Sequence, residues 1–398
     1  MNSVVMVDQE RKSMTGRKKV AVITPGSFVI PSGRSSSVER VIEKVAPLAA
    51  DELNIRIFGV ADRQLPNIGM VGSVPCYRLP GGRRYLQSVL QHLRKWHPDT
   101  VDVHNRPRLA SQIKGKLPFT RVLLTLHSTT FISATYRPSS ETFHWLNSVD
   151  GIIVNSQYLS TELRLRFPQL QVPIQVNPLG VSLEDFLPRW TPLGESLRQA
   201  RLADFGWENR KVVLYVGRLL PTKGVHHILN AWPAIQEQVP DAMLIVVGSA
   251  FYSAQRETGY VRKLKKLAEP YQDRIVFLPY IEYPKVADWY NLADVVVVPS
   301  GEEEAFGLVN VEAMAAAIPV VAANTGGIPE IIDDGRSGFL LPSEGLSYRL
   351  AERVTYLLGD EDLRRRMGCA GRELARIRFR WQHTAKRWGD LIRGTDGI

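Results

Sequence analysis

Glu304 and Glu312 are two carboxylates on either side of Gly307, in the stretch that covers residues 300–341. The run DVVVVP precedes them and has the length and composition of a strand that is buried on both faces. Glu304 would then follow the carboxyl end of this strand, where open α/β sheets bind ligands. Gly307 lets the backbone approach a ligand at the start of a predicted helix, which attracts anions. Two acids and a phosphate-binding helix start are the parts of a site for a sugar nucleotide.

Arg218 and Lys223 form a second group, in the segment YVGRLLPTKG. Gly217 ends a predicted strand there, and the two cations flank a turn that contains proline and precedes a predicted helix. Two cations beside a helix N-terminus suit a diphosphate. Arg and Lys on an exposed loop are commonly just solvated. Because a second motif lies in the same half of the chain, we favour the binding role.

The segment 304–330 resembles the nucleotide-sugar signature of the retaining glycosyltransferases of family 4, which have the GT-B fold. That signature reads roughly Glu-x-Phe-Gly-Leu-x-x-x-Glu-Ala-Met-Ala, then Pro-Val-Val-Ala and Gly-Gly-x-x-Glu. Ala317 is a departure, because the family usually has Gly there. Within the family, VHNRP, LPYI and the basic C-terminus are similar to the spore-coat glycosyltransferase-like proteins. The residues that match the signature are Glu304, Phe306, Gly307, Leu308, Glu312, Ala313, Met314, Ala315, Pro319, Val320, Val321, Gly326, Gly327 and Glu330.

The resemblance implies a role for each of these groups. Glu312 would hold the ribose hydroxyls of a donor, and Glu304 would hold hydroxyls of the transferred sugar. Arg218 and Lys223 would stabilise the leaving diphosphate. The catalytic residues that the resemblance implies are His127, Glu304, Arg218 and Lys223. The donor-binding residues that it implies are Gly33, Gly217, Arg218, Lys223, Gly248, Glu304, Phe306, Gly307, Leu308 and Glu312.

His127 ends a predicted strand in the first half of the chain, in the segment TLHS. A lone His is more often structural or merely exposed. The family has a His near the transferred sugar at this place, commonly followed by Asp, whereas Ser128 follows it here. His104 and Asn105 end another predicted strand, and a binding role and a structural role are equally open for them.

A Ser-rich turn, PSGRSSS, follows the first predicted strand and would cap an amphipathic helix. The family usually carries paired glycines in this turn, and they approach the donor phosphates. Here Ser35 and Ser36, near Gly33, stand at those positions. Serine hydroxyls can donate to a phosphate, but the backbone has less conformational freedom than with glycine.

Strands that end in polar residues alternate with helical patterns along most of the chain, which is typical of doubly wound α/β folds. With 398 residues, the chain is long enough for two such domains. The resemblance implies the GT-B arrangement: two Rossmann-like doubly wound domains facing across a cleft, with a C-terminal helix that crosses back to the first domain. We predict a flexible tail at 1–18, an acceptor-side domain at 19–190, a linker at 191–209, a nucleotide-sugar domain at 210–376 and the crossover helix at 377–398.

Asp360 and Asp362 spell an Asp-x-Asp, a pattern that many other transferases use for a metal-bound diphosphate. Here the two acids open a predicted helix, where acids favour the positive end of the dipole, and we favour a capping role. Arg218 and Lys223 would then replace a metal as charge stabilisers. We therefore expect no metal and no cofactor apart from the donor substrate. The chain lacks GxGxxG and a Walker loop, which argues against dehydrogenases and P-loop NTPases.

The formal net charge of +10 indicates an anionic partner. No nucleic-acid motif accompanies the charge, so we expect no nucleic acid. The basic, aromatic-bearing segment PGGRRYLQSVLQHLRKW could lie on an anionic membrane surface, although a solvated face is the commoner outcome. Two distant cysteines, without a membrane-spanning apolar run or a signal-peptide core, indicate a cytoplasmic protein. Peripheral membrane association and spore association stay open.

These features predict a glycosyltransferase that moves a sugar from a nucleotide-diphosphate sugar to a glycan, lipid or small-molecule acceptor with retention of configuration. No pair of carboxylates for a nucleophilic mechanism is evident. The resemblance implies front-side transfer, in which the departing phosphate helps to take the acceptor proton. Two alternatives stay open. One is a GT-B epimerase that uses the same donor site without an acceptor, and the other is a non-catalytic coat protein that retains only the fold.

Overall fold

The computed structural model describes residues 16–31, 37–133, 137–251, 257–302 and 304–394. The chain divides into two compact units: one contains Met1–Pro178 and Trp381–Ile398, and the other contains Leu179–Arg380. Each unit is a mainly parallel β-sheet whose strands are connected largely by helices. The predicted doubly wound α/β class is therefore confirmed.

The strands of the first unit are β1 (Lys19–Ile23), β2 (Asn54–Val60), β3 (Ile68–Val71), β4 (Val74–Leu79), β5 (Thr100–His104), β6 (Arg121–Leu126), β7 (Gly151–Val154) and β8 (Ile174–Val176). In the part of the chain that the structure describes, they form one sheet of eight strands in the order β3-β4-β2-β1-β5-β6-β7-β8. The pairs are parallel except for β3 with β4. The strand order reverses at β1, next to β5, and ligands bind such sheets beside the carboxyl ends of the strands at this point.

The helices between these strands are α1 (Ser37–Ala49), α2 (Tyr85–Trp96), α3 (Pro107–Lys116), α4 (Ser139–Asn147) and α5 (Gln157–Arg166). In α1, Val38, Ile42 and Val45 are buried, and their spacing places them on one face of a helix. Ser156 caps α5, and its hydroxyl accepts a hydrogen bond from Leu159 N at 3.1 Å. Such a cap satisfies an N–H group that has no partner within the helix.

The strands of the second unit are β9 (Lys211–Val216), β10 (Ala242–Val247), β11 (Ile275–Leu278), β12 (Val295–Val298), β13 (Val320–Ala323) and β14 (Gly338–Leu341). Among the described residues, they form a parallel sheet of six strands in the order β11-β10-β9-β12-β13-β14. The strand order reverses between β9 and β12. The carboxyl ends of these two strands are therefore the expected place for a ligand in this unit.

The helices of the second unit are α6 (Pro192–Asp204), α7 (Val225–Gln238), α8 (Gly259–Ala268), α9 (Ala287–Leu292), α10 (Leu308–Ala315), α11 (Leu346–Gly359) and α12 (Glu361–Arg378). The core of the unit contains Trp232 and Ile228 of α7 together with Val354 of α11 and Val213 of β9. All four side chains are fully buried. This core holds the central strand in place beneath the loops that follow it.

A helix occupies most of the region 191–209, where we predicted a linker. Thr191 caps α6 with its hydroxyl. Arg198 of α6 is buried, and its guanidinium donates to Asp294 Oδ2 at 2.6 Å. The helix therefore belongs to the second unit, and the chain enters that unit after Pro178. The mixed composition that suggested a linker is that of a capped helix with a buried ion pair.

The last helix, α13 (Trp381–Arg393), belongs to the first unit. Its Trp388 Nε1 donates to Asp102 Oδ2 on β5 at 2.7 Å. The predicted return of the C-terminal helix to the first domain is confirmed. The helix begins later than 377, because α12 continues as far as Arg378.

The helices and the two cysteines relate to the predicted location of the protein. Among the helices in the described part of the chain, none is both long enough and apolar enough to span a membrane. Cys76 is buried and Cys369 is exposed, and both are free thiols.

Candidate functional site

The carboxyl ends of β9 and β12 bring the two motifs of the second unit together. The two strands are neighbours, and the loops that follow them contain the predicted cations and the first predicted acid. Gly301 N donates to Thr222 O at 2.8 Å, so the loops are joined directly. Gly224 has a φ of 69°, and a Cβ placed on it would overlap with Pro299 O. Only glycine lets the loops approach each other this closely.

Lys223 and Glu304 form an ion pair in this site. Lys223 Nζ lies 2.5 Å from Glu304 Oε2, and only 24% and 15% of the respective side-chain surfaces are exposed. Burial raises the pKa of Glu304, but the Lys223 charge and hydrogen bonds from Lys223 and Ser300 outweigh burial. The pKa of Glu304 therefore lies below its usual value. Glu304 is ionised at neutral pH and holds the Lys223 ammonium in place.

Arg218 is exposed and follows Gly217 at the carboxyl end of β9. Its carbonyl oxygen accepts a hydrogen bond from Tyr215 Oη at 3.0 Å, which fixes the turn. Gly217 and Gly248 follow neighbouring strands, and a Cβ placed on Gly248 would overlap with Gly217 O. Gly248 is thus required for close backbone packing at the edge of the sheet where Arg218 lies.

Glu312 is buried in α10, and Tyr290 of α9 is its hydrogen-bond partner. Tyr290 Oη donates to Glu312 Oε2 at 2.7 Å. The Tyr290 ring packs edge-on against Phe186, with ring centroids 5.5 Å apart, so its hydroxyl is held in place. A buried carboxylate needs such a partner because its desolvation is costly. We did not predict Tyr290, and the only signal for it was that Glu312 lies in an otherwise apolar helix and required a donor.

α10 begins at Leu308, directly after Gly307, which has a φ of 90°. This left-handed backbone suits glycine. Asn310 N donates to Gly307 O at 3.0 Å, and the N–H groups before it at the start of α10 have no partner within the helix and can bind an anion. Phe306 is buried, and its ring lies edge-on to Phe379 with centroids 6.1 Å apart. Its ring therefore packs within the second unit, and Phe306 contributes to the site by fixing the loop.

A chain of three side chains lies at the carboxyl ends of β5 and β6 in the first unit. Asp102 and His104 are on β5, and His127 directly follows β6. His104 Nε2 lies 3.3 Å from Asp102 Oδ2, and His104 Nδ1 lies 3.0 Å from His127 Nε2. The structure brings together two histidines that the sequence analysis treated separately. We did not predict Asp102, although its spacing from His104 on a strand places both side chains on one face.

His127 is held through its backbone as well. Its N–H donates to Asn105 Oδ1 at 2.8 Å, and its carbonyl accepts from Asn155 Nδ2 at 3.1 Å. Asn105 thus has the structural role that was one of its two alternatives. Burial, followed by the neighbouring His104, lowers the pKa of His127 to about 3. The imidazole of His127 is therefore neutral at physiological pH and acts as a hydrogen-bonding group.

Gly33, together with Ser35 and Ser36, lies outside the described residues.

Asp360 caps α12, because its Oδ1 accepts from Leu363 N at 2.8 Å, which is the capping role that we favoured. Within the described ranges, no group of three or more His, Cys, Asp or Glu side chains is arranged to hold a metal ion.

The basic segment around α2 differs from the prediction. Tyr85 Oη donates to Phe58 O at 2.8 Å, and the Arg56 guanidinium lies 4.4 Å from the centre of the Trp96 ring. Both aromatic side chains are buried in the first unit, so neither lies on the surface where a membrane would bind. The basic side chains that are exposed here are Arg83, Arg84, Arg94 and Lys95.

Two family models match the chain. "Glycosyltransferase Family 4" matches residues 40–185, and "Glycosyl transferases group 1" matches residues 199–374. Spore coat protein SA of Bacillus subtilis (strain 168) is 31% identical over 368 residues, which cover 92% of this chain and 97% of that protein. The chain belongs to the family 4 glycosyltransferases. The predicted resemblance of this glycosyltransferase to spore-coat proteins is confirmed by that relative.

Solved structures resemble this glycosyltransferase over nearly its whole length. Sucrose-phosphate synthase from Thermosynechococcus elongatus matches with a TM-score of 0.78 and 24% identity, covering 95% of this chain and 99% of that chain. Anabaena HepE in complex with UDP-glucose matches with a TM-score of 0.73 and 21% identity, covering 94% of this chain and 99% of that chain. With the family assignment, these matches confirm the predicted GT-B fold.

Proposed function

We propose that this glycosyltransferase transfers a hexosyl group from a nucleoside diphosphate sugar to an acceptor hydroxyl with retention of the anomeric configuration. The observation that carries the proposal is the Lys223–Glu304 ion pair, at the place in the second sheet where the strand order reverses. The exposed Arg218 and the start of α10 follow neighbouring strands of the same sheet. A held cation, a second cation and a helix N-terminus together suit a diphosphate.

Each group in this site has a task in the proposed reaction. Arg218 and Lys223 stabilise the charge that develops on the leaving diphosphate, which is the kind of preorganised electrostatic effect that contributes most to catalysis. The ionised Glu304 accepts hydrogen bonds from hydroxyls of the sugar. Glu312 accepts hydrogen bonds from the ribose, while Tyr290 orients its carboxylate. The chain's own cations carry the charge stabilisation, so the proposed reaction requires no metal.

Retention follows in this proposal from front-side attack. The acceptor oxygen forms its bond to the anomeric carbon on the side from which the diphosphate leaves. The bond between that carbon and the diphosphate oxygen breaks, and the departing oxygen takes the acceptor proton. A double displacement would instead need a carboxylate nucleophile at the anomeric carbon. Glu304 is engaged by the Lys223 ammonium, so we give it the orienting role.

A UDP-sugar is the first donor to test, because the structurally similar HepE was solved with UDP-glucose. GDP- and ADP-sugars form the second panel. The acceptor is a glycan, a lipid or a small molecule, and each class offers a hydroxyl nucleophile. We place the reaction in the cytoplasm, where nucleotide sugars are the donors, with membrane or spore association as a further property to test.

Product analysis tests this function. The full chain is incubated with each α-linked nucleotide sugar and with acceptors of the three classes, and the product is analysed by NMR. An α-linked product supports retention, and a β-linked product contradicts it. Consumption of donor without an acceptor, with formation of an epimeric nucleotide sugar, would identify the GT-B epimerase instead.

A non-catalytic coat role is the second candidate, and the name of the relative, spore coat protein SA, favours it. In that case the folded protein would consume no nucleotide sugar under any of these conditions. The Lys223–Glu304 pair and the Glu312–Tyr290 pair support the enzyme. A scaffold would gain little from holding two acids in a partly buried site, because desolvation of charged groups costs stability.

A further inference from the structure

Asn310 is a fully buried polar side chain in the first turn of α10. Its Nδ2 donates to Gly307 O at 3.0 Å, and its backbone N–H donates to the same oxygen at 3.0 Å. The reverse orientation of the amide would bring Asn310 Oδ1 against Gly307 O, so this contact fixes which amide atom faces the turn. Asn310 therefore holds the carbonyl group at the point where the turn after Glu304 enters α10.

The other atom of this amide, Asn310 Oδ1, is buried and has no hydrogen-bond partner among the residues that the structure describes. An unpaired buried acceptor lowers the stability of a protein, whereas an apolar group of the same shape in its place is nearly neutral or stabilising. Leucine has that shape, since it branches at Cγ as asparagine does. Stability alone therefore does not explain an asparagine here, and residues that break such packing rules are typical of functional sites.

The Gly307 carbonyl and the Leu308 N–H belong to one peptide group. In a planar trans peptide the C=O and the N–H point in opposite directions, so a contact that holds one also directs the other. The Asn310 amide binds the carbonyl on the buried side of the turn, and the Leu308 N–H points away from it. Leu308 is partly exposed, and its N–H has no partner within the helix and is available to an anion.

The start of this turn is held by a different loop. Gly327 N, in the loop after β13, donates to Glu304 O at 2.8 Å. A Cβ placed on Gly326 would overlap with the same oxygen, so the two loops pack closely. The turn is thus fixed at its start by the loop after β13 and at its end by Asn310. A substitution of Asn310 would therefore loosen the end that leads into α10 and leave the Glu304 contact in place.

We propose that Asn310 is a positioning residue, whose amide directs the Leu308 N–H at the diphosphate of the sugar donor. The identity of this ligand rests on the proposed function. The signature at 304–330 leaves position 310 unspecified, so the assignment concerns a side chain outside the shared motif. A hydrogen bond from Leu308 N to the leaving diphosphate strengthens as charge develops there, so a misdirected N–H lowers both nucleotide affinity and turnover.

Replacing the amide by an apolar side chain separates positioning from packing. Asn310→Leu keeps the branched shape and removes the donor, so thermal unfolding should occur at or above the wild-type temperature. Calorimetry with UDP, GDP and ADP should show about tenfold weaker binding of whichever nucleotide wild type binds most tightly, and kcat/KM should fall about tenfold or more. A structural role alone gives the reverse pattern, with a lower unfolding temperature and unchanged affinity of the folded protein. Asn230→Leu is the matched control, because Asn230 is exposed on α7.

Asn310→Asp tests the hydrogen-bond donor itself. A protonated carboxyl can donate to Gly307 O, whereas an ionised carboxylate cannot and adds negative charge beside the diphosphate. Ionisation of the new carboxyl increases as the pH rises, against the opposing effects of burial and the nearby Glu304. The nucleotide affinity of this variant, divided by that of wild type at each pH, should therefore fall between about pH 5 and about pH 9. The division removes the titration of Glu304, Lys223 and the nucleotide, which is common to both proteins, and Asn230→Asp should give a constant ratio.

The variants are compared as folded proteins, and Asn310→Ala replaces Asn310→Leu if the larger side chain prevents folding. Wild-type affinity and kcat/KM in the folded apolar variant, or the same constant ratio in Asn310→Asp as in Asn230→Asp, would overturn the positioning role and leave the proposed function intact. If none of the three Asn310 variants folds, the role of Asn310 is structural and the proposal fails. A wild-type protein that binds no nucleoside diphosphate and transfers no sugar would instead overturn the proposed function together with this ligand.

Discussion

Glu304 and Glu312 differ in their partners, and this difference separates their tasks. Glu304 is held by the Lys223 ammonium, and Glu312 is held by the neutral Tyr290 hydroxyl. The charged partner of Glu304, Lys223, suits an acid that acts in the step in which charge develops on the leaving diphosphate. The neutral partner of Glu312, Tyr290, suits an acid that binds the ribose equally before and after that step. The two acids should therefore affect turnover and binding differently.

Glu312→Gln should weaken binding of the free nucleoside diphosphate more than Glu304→Gln does, because Glu312 holds the ribose. Glu304→Gln should mainly lower turnover. Tyr290→Phe should weaken nucleotide binding in the same direction as Glu312→Gln. Calorimetry with the nucleoside diphosphate checks this, with Tyr356→Phe as the control, since Tyr356 is exposed. Equal losses of affinity for the two acid variants would contradict the division of roles.

The Lys223–Glu304 pair should make stability depend on pH. The folded pKa of Glu304 lies below 4.5, so the pair stabilises fully above pH 4.5 and is lost as the pH falls through the lower folded value. Lys223→Ala should therefore lower the unfolding free energy at pH 7 by roughly 1–3 kcal/mol, and the loss should shrink in acid.

Urea unfolding of wild type and Lys223→Ala, at pH 7 and in acid, measures this difference in unfolding free energy. Lys265→Ala is the control. Lys265 pairs with Glu257 on the surface, where both side chains are well exposed, so Lys265→Ala should change the unfolding free energy little at either pH. If Lys223→Ala lowers the unfolding free energy by the same amount at both pH values, the ion pair does not cause the loss.

The sequence indicated residues that form local motifs, such as Arg218 or Glu312, and their binding roles stay predictions. It was insufficient for Asp102 and Tyr290, because their partners come from distant segments. Trp388 reaches Asp102 from the last helix, and the sequence alone does not specify which strand a returning helix contacts. Buried polar partners of this kind can be recognised only once the strand order is known.

The loops after β9 and β12 are the elements that form the second-unit site, and glycine permits their contact. Gly224 and Gly326 both have positive φ, and a Cβ on either would overlap with a backbone oxygen of the neighbouring loop. The sequence indicated both glycines as parts of motifs. It did not show that Gly224 joins the two motifs, since that contact depends on β9 and β12 being neighbours, or that Gly326 packs the loop after β13 against the loop after β12.

Gly224→Ala should destabilise the second unit and lower turnover, because the new methyl group meets Pro299 O. Gly206→Ala is a matched control: Gly206 has nearly the same φ, 68° against 69°, but no atom lies within 4 Å of its added Cβ. Both variants carry a left-handed backbone cost of about 1–2 kcal/mol. Thermal unfolding should show a clearly larger loss for Gly224→Ala, and equal losses would show that the loop contact contributes nothing.

At the scale of the whole molecule, the sequence predicted two α/β units, the return of the last helix and the family. The prediction of a linker at 191–209 was wrong, because the sequence does not show whether a basic side chain is buried or solvated. Arg198 is buried beside Asp294, which directly precedes β12, and its guanidinium donates to that carboxylate. The aromatic residues of α2 were placed on the surface for the same reason, since burial depends on packing against the sheet.

A solvated face is the commoner outcome for the exposed basic residues before and within α2, and binding to anionic vesicles is the outcome that would show a membrane surface. Each basic side chain near the surface contributes about 1 kcal/mol, and salt should weaken the binding. Replacing Arg83, Arg84 and Arg94 by Glu should abolish flotation with anionic vesicles. Lys263→Glu with Lys266→Glu, on exposed positions of α8, is the control. Equal flotation with neutral and anionic vesicles, or none, would exclude an electrostatic membrane surface here.

The claim that the chain's own cations stabilise a leaving nucleoside diphosphate is tested most directly by measuring the release of that diphosphate. The purified full chain is incubated with UDP-, GDP- and ADP-sugars in the presence of EDTA. We expect release by the wild-type protein under chelation, because Arg218 and Lys223 stabilise the leaving group. Arg218→Ala and Lys223→Ala should each reduce the rate by about two to three orders of magnitude, while Lys265→Ala should not change it. No release from any donor, equal rates in all variants, or loss with EDTA that added metal restores would contradict the account.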